Sequence, residues 1–148
     1  MIPRLILLAA IILMVLPTGS ARAERSVVLV TNASCPIESL SMLQVRKAYF
    51  GLLVSHEGYS LRALRLNNDD ELSLVFYQVV AAMSEKSYER RLRSMLLKYG
   101  TPRPPEFSSV NALVRALQAT PCSIAYLWRD DVTEIEGLRE LRLLWQGD

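Results

Sequence analysis

Apolar positions along this chain change their period repeatedly, and each change marks an element. Leu5 to Leu16 is twelve residues without a polar side chain. Arg4 precedes the run, Pro17 and Gly19 follow it, and Ala21-Arg22-Ala23 supplies a small-x-small pattern. That is the layout of a cleavable secretory signal, with cleavage expected after Ala23. A spanning helix needs about 20 apolar residues, so the run is too short to be read as an anchor.

Ser26-Val-Val-Leu-Val-Thr31 is a continuous β-branched and apolar run and predicts a buried strand, with turn chemistry from Asn32 to Pro36. Ser41, or Ser39, can cap a helix through Tyr49, with Leu40, Leu43, Ala48 and Phe50 as its apolar contacts and Gly51 as its stop. His56 to Tyr59 reads as a loop, and Leu61, Leu64 and Leu66 as a second strand with Arg62 and Arg65 among them. Asn67 or Asn68 is expected to cap a helix whose first turn is Asp69-Asp70-Glu71, where the helix dipole favours acids. Leu72, Val75, Phe76, Val79, Val80 and Met83 recur on one face of that helix. Ser84 caps a further helix with Tyr88, Leu92, Met95, Leu96 and Tyr99 inward, ended by Gly100. After the stiff Thr101–Pro105 link, Ser108 or Ser109 opens a fourth helix bearing Val110, Leu113, Val114 and Leu117. Ile124 to Trp128 is another apolar strand, and Leu138 to Trp145 a last strand or short helix. Strands alternating with helices predict one α/β domain over residues 24–148.

Composition narrows the function. The chain carries 17 basic and 15 acidic side chains, and residues 1–23 hold two of the basic ones, Arg4 and Arg22, and no acid. The remainder is balanced, which argues against nucleic acid as a partner. Cys35 and Cys122 are an even pair behind a secretory signal, so a bridge is favoured over two buried thiols. Neither cysteine has a histidine or second cysteine at ligand spacing, and His56 is the one histidine, so no metal or other cofactor is expected. His56-Glu57 has no nucleophile at a telling spacing, and no catalytic residue is assigned. Glu89-Arg90-Arg91-Leu92-Arg93 reads as a solvated helix face rather than an anion or partner patch. Tyr126 and Trp128 alternate along one strand, and core packing is their default role, with an aromatic wall for a ligand or partner as the alternative.

Several of these segments occur in a recognisable order. The first strand ends in an Asn turn, and Leu40-Ser41 leads a helix closing on Tyr49-Phe50-Gly51. A Gly58 loop and a strand follow, then a helix with Phe76, then Thr120-Pro121-x-x-Ile124-Ala125-Tyr126. The chain resembles the phosphate-type periplasmic solute-binding proteins that feed ABC transporters. The resemblance implies a single domain like one lobe of a type II periplasmic binding protein. It also implies two crossing strands, side by side and antiparallel, which would bring Cys35 and Cys122 together as a disulfide. It departs at the anion site. Where the family has Ser-Gly-Thr at a helix start, this chain has Asp69-Asp70-Glu71 or, shifted by one, Asp70-Glu71-Leu72, although Arg65 could match the family's arginine. Cys122 stands where the family's late motif has glycine.

The expectation is an exported, periplasmic or secreted, non-catalytic binding protein with a small solute or an envelope protein as partner. An accessory module docking on an envelope receptor, kinase or transporter is the alternative. Candidate ligand residues are Arg65, Asn67 and Asn68 beside the second helix, and Asn32 and Ser34 after the first strand. Protein recovered from the producing cell should begin at Glu24 by intact mass. A full-length chain starting at Met1 and held in the membrane would refute the export reading.

Overall fold

Four consecutive valines and leucines, Val27 to Val30, lose all contact with solvent: strand β1 (Ser26–Asn32) runs through the middle of the sheet with a neighbour on each side, and helices pack against it. In the computed structural model, which describes residues 24–147, that sheet has the order β4-β7-β1-β8. The expected signal segment, residues 1–23, lies outside the described residues. Strand β7 (Ser123–Trp128) pairs antiparallel with β1, from Val27 opposite Trp128 to Thr31 opposite Ile124. Strand β8 (Leu138–Gln146) flanks β1 on the other side, also antiparallel, with register shifts between Val27 and Val28 and between Leu29 and Val30. The tail is therefore a strand, the first of its two expected forms. No helix among the described residues is long and apolar enough to cross a membrane.

Helix α1 (Met42–Tyr49) begins where its chemistry demands. Ser41 accepts the Gln44 N–H while the Gln44 side chain returns to the Ser41 N–H, a reciprocal cap. Val45, Ala48 and Tyr49 are its buried face. Leu43, expected inside, is 59% exposed, because eight residues offer only one buried stripe and Leu43 lies off it. The loop after α1 contains a small hairpin, β2 (Ser55–His56) with β3 (Tyr59–Ser60).

The expected second strand is split. Strand β4 (Arg62–Ala63) runs parallel to β7, whereas β5 (Arg65–Leu66) runs parallel to β6 (Glu106–Phe107). The change of partner falls at Leu64, whose N–H still reaches Ile124 O at 2.8 Å before Arg65 N–H turns to Pro105 O. The β5–β6 pairing then extends to Asn67, whose N–H meets Phe107 O at 2.9 Å. This corrects the expected cap. Asn67 is still strand-bound, so the helix starts later and Asp69 caps it, accepting the Leu72 N–H at 2.9 Å.

Helix α2 (Asp70–Val75) widens into a π-helical stretch, Phe76–Ala81, which ends on a left-handed Ala82. Phe76, Val80 and Ala81 are buried there, while Val79 and Met83 are only partly covered. Helix α3 (Glu85–Tyr99) is capped by Ser84 and ended by Gly100 in the left-handed region. Its inner face is shorter than expected. Tyr88 and Leu92 are buried, but Leu96 and Tyr99 are exposed, because the last turns run beyond the core. Helix α4 (Val110–Ala119) starts at the Ser109 cap and buries Leu113, Val114 and Leu117. A short helix, α5 (Arg129–Thr133), joins β7 to the segment before β8.

The antiparallel β1–β7 pair brings Cys35 and Cys122 to a Cα separation of 5.0 Å, and they form a disulfide across 87 residues. Next to it, Arg139 of β8 donates to the carbonyls of Cys35 and Ile37, and Arg142 to that of Leu40 at 2.9 Å. Replacing both cysteines by serine should cost roughly 2–5 kcal/mol of unfolding free energy. Urea melts of the two proteins under oxidising conditions would show it, and coincident melts would show that the bridge contributes nothing.

Candidate functional site

Among the described residues Arg65 is the one charged side chain buried in the core, with 3% of its surface exposed. A guanidinium cannot shed its charge inside a protein, so the fold has to satisfy it. Its Nη1 meets Glu106 Oε1 at 3.1 Å, its Nη2 donates to the Tyr77 hydroxyl at 3.0 Å, and its Nε to the Tyr126 hydroxyl at 3.3 Å. The Phe76 ring lies 4.4 Å from Cζ and the Tyr88 ring 5.0 Å. These partners come from β6, the π-helical stretch, α3 and β7. The π-helical stretch presents Phe76 and Tyr77 together: Phe76 stacks on Tyr126 at 4.8 Å between ring centroids, and Tyr77 reaches the arginine.

The electrostatics follow from burial. Desolvation by itself would lower the Arg65 pKa, but Tyr126, Tyr88 and Tyr77 hold it above its ordinary value. Burial pushes the Tyr126 phenol up to about 12, against the pull of Arg65, and raises Tyr49 and Tyr88 as well. Tyr49 donates to Leu64 O at 3.0 Å and Tyr88 donates to the carbonyl of Tyr49, so these phenols are fixed as neutral donors.

The outer side of Arg65 opens on a cleft of about 330 Å³ lined by Asn67, Asp70, Ser73, Tyr77, Glu85 and Glu89 among others. Carboxylates dominate it. Glu106 is shared between Arg65, the Asn67 amide at 3.4 Å and Arg103 at 3.9 Å, and Arg103 also pairs with Glu89 at 2.7 Å. Asp70 and Glu85 have no ion-pair partner among the described residues.

The five candidate ligand residues do not meet in one place. Arg65 and Asn67 belong to this cleft, and Asn68 is exposed beside it. Asn32 instead closes the end of α4, donating to Leu117 O and Gln118 O, while its own Oδ1 accepts from the Ser34 N–H and hydroxyl at 2.9 Å. Tyr126 and Trp128 sit in the core as expected by default. Trp128 donates to Asp69 Oδ2 at 2.8 Å and lies beneath Arg25 at 3.7 Å. Sequence reasoning missed Glu106 and Tyr77. Glu106 directly follows the proline link 41 residues from Arg65, and no local pattern ties the two. Among the described residues no group of three His, Cys, Asp or Glu side chains is placed to hold a metal ion.

The fold as a whole has counterparts among solved structures. The fold is similar to one lobe of phosphate-type binding proteins. A Clostridium perfringens protein described as a phosphate ABC transporter substrate-binding protein, solved with bound phosphate, matches with a TM-score of 0.60 and 12% identity over 80% of this chain. PstS from Borrelia burgdorferi matches with a TM-score of 0.57 and 13% identity over the same share. An ABC-type phosphate transport receptor from Vibrio cholerae matches with a TM-score of 0.53 and 8% identity. The chain spans about half the length of these proteins, 45%, 47% and 46% respectively. At these identities the likeness is one of fold. No protein-family model and no curated protein sequence matches the chain.

The tyrosines give this core a defined response to alkali. A phenol whose folded pKa is raised contributes stability that is complete below the unfolded value, near 10, and is lost as pH rises through the folded value. Each such phenol then subtracts about 1.4 kcal/mol per pH unit. Stability should be flat up to about pH 10 and fall between 10 and 12, with a shallower fall in Tyr126→Phe. Urea midpoints measured across that range check it, and identical slopes for the two proteins would remove Tyr126 from the account.

Proposed function

We propose that this is an exported, non-catalytic binding domain whose Arg65 cleft takes a small neutral or cationic solute and rejects phosphate. One observation carries the reading: the guanidinium that could bind an anion is committed to Glu106, Tyr77 and Tyr126. Helix starts attract anions through free N–H groups. Here the start of α2 is capped by Asp69 itself and followed by Asp70 and Glu71. At contact distances near 4 Å each carboxylate facing a phosphate costs on the order of 1–4 kcal/mol, depending on the local dielectric. Fold similarity to solute-binding proteins, none of them enzymes, supports a binding role. The Cys35–Cys122 bridge and the apolar run before Ala23 support a location outside the cytoplasm.

A second reading, a module that docks on an envelope protein, is favoured by a different feature. The loop after α1 carries Leu53, 86% exposed, beside an open groove.

Isothermal titration of the purified protein with inorganic phosphate at low salt should show no affinity tighter than about millimolar, the range of roughly 4 kcal/mol. Micromolar binding that disappears in Arg65→Ala would show that the guanidinium is free to leave Glu106 and that the site accepts anions.

A further inference from the structure

The groove lies at the β4 edge of the sheet, away from the Arg65 cleft. Along β4, Arg62 and Leu64 send their N–H groups to β7, to Cys122 O at 3.5 Å and Ile124 O at 2.8 Å. Leu61 and Arg65 send theirs the opposite way, to Val54 O at 2.9 Å and Pro105 O at 3.0 Å. Ala63 stands between them, so by strand alternation its N–H and C=O also face away from β7. Among the described residues β4 is an edge strand paired with β7 alone, and no loop backbone meets them either. They form a one-residue gap in the edge of the sheet.

That gap opens on a groove of about 390 Å³, lined mostly by apolar groups that include Leu52, Leu53, Leu61, Pro102 and Pro104. The wall opposite β4 is poor in donors for the Ala63 C=O, because Pro102, Pro104 and Pro105 have no N–H to offer. Its position is fixed at one end. Gly51 adopts φ +77°, and a Cβ there would fall 2.4 Å from Pro102 O, so the end of α1 and the proline link touch backbone to backbone. Arg62 is exposed at the rim and has no ion pair among the described residues.

We propose that this groove binds an extended apolar segment of a partner protein that carries an acidic residue. The segment's backbone pairs with the Ala63 N–H and C=O as a short added strand. Its apolar side chains cover Leu52, Leu53 and the prolines, and its carboxylate meets Arg62. Unpaired strand edge, exposed apolar surface and an unpaired cation thus call for one kind of occupant. The inference rests on the docking reading of the chain, and it names the surface and the chemistry of the partner.

The test is selection of random twelve-residue peptides displayed on phage against the protein purified from the producing cell. Selected peptides should alternate apolar residues with Asp or Glu. Their binding should weaken at least tenfold in Arg62→Glu and in Leu53→Asp. Changing the peptide's acid to Lys should restore binding to Arg62→Glu. Both side chains are exposed, so matching urea midpoints would establish that the variants are folded. Peptides that bind both variants unchanged would overturn this groove while leaving the docking reading intact. Recovery of no specific peptide would overturn both. A self-association of the protein that is lost in Arg62→Glu would assign the groove to a second copy and overturn the proposal.

Discussion

A permanent positive charge sits in the core of this domain, and much of the architecture serves to keep it there. Burying an unpaired guanidinium would cost several kcal/mol, and deprotonation offers no escape. The chain meets that demand with one carboxylate, two phenol hydroxyls and aromatic faces, drawn from strands and helices that are distant in sequence. The π-helical stretch places Phe76 and Tyr77 around the same cation. The split between β4 and β5 lets Arg65 turn toward Glu106 on the neighbouring short strand. Removing the charge would leave Glu106 and two hydroxyls without their common partner, so the cluster acts as a unit.

The same commitment separates shape from chemistry. The lobe is similar in fold to proteins solved as phosphate receptors, yet the arginine beside its cleft is internally neutralised and the surrounding side chains are mainly acidic. A fold positions a cleft, and the side chains decide what enters it. Here the lining is mainly acidic and the arginine is already paired, so fold likeness by itself assigns no ligand to the cleft.

Much of the architecture was legible in the residues because local rules and burial agreed. The unbroken apolar run of β1, the Ser41, Ser84 and Ser109 caps and the face of α4 each report a local preference that tertiary packing upholds. Reading failed where long-range pairing overrode local pattern. Asn67 looked like a cap but is held by Phe107, and Leu61 to Leu66 looked like one strand but serves two partners. The candidate site was half legible. Arg65 and Asn67 stand in the cleft, but Glu106 and Tyr77 meet them only through the tertiary fold. Asn32 and Ser34 hold a helix end, a use of short polar side chains that composition cannot distinguish from ligand contact.

The central strand also sets the timing of assembly. β1 is the first strand among the described residues, and both of its neighbours, β7 and β8, come from their far end, as when Val27 faces Trp128 on one side and Trp145 on the other. The sheet therefore cannot close until the segment through Gln146 is available. Such non-local pairing makes for slow folding, because loop closure must precede any reward from contact. Until those closing strands arrive, the apolar run of β1 has no partner on either edge, so the central strand of the sheet is also the one that waits longest for its neighbours.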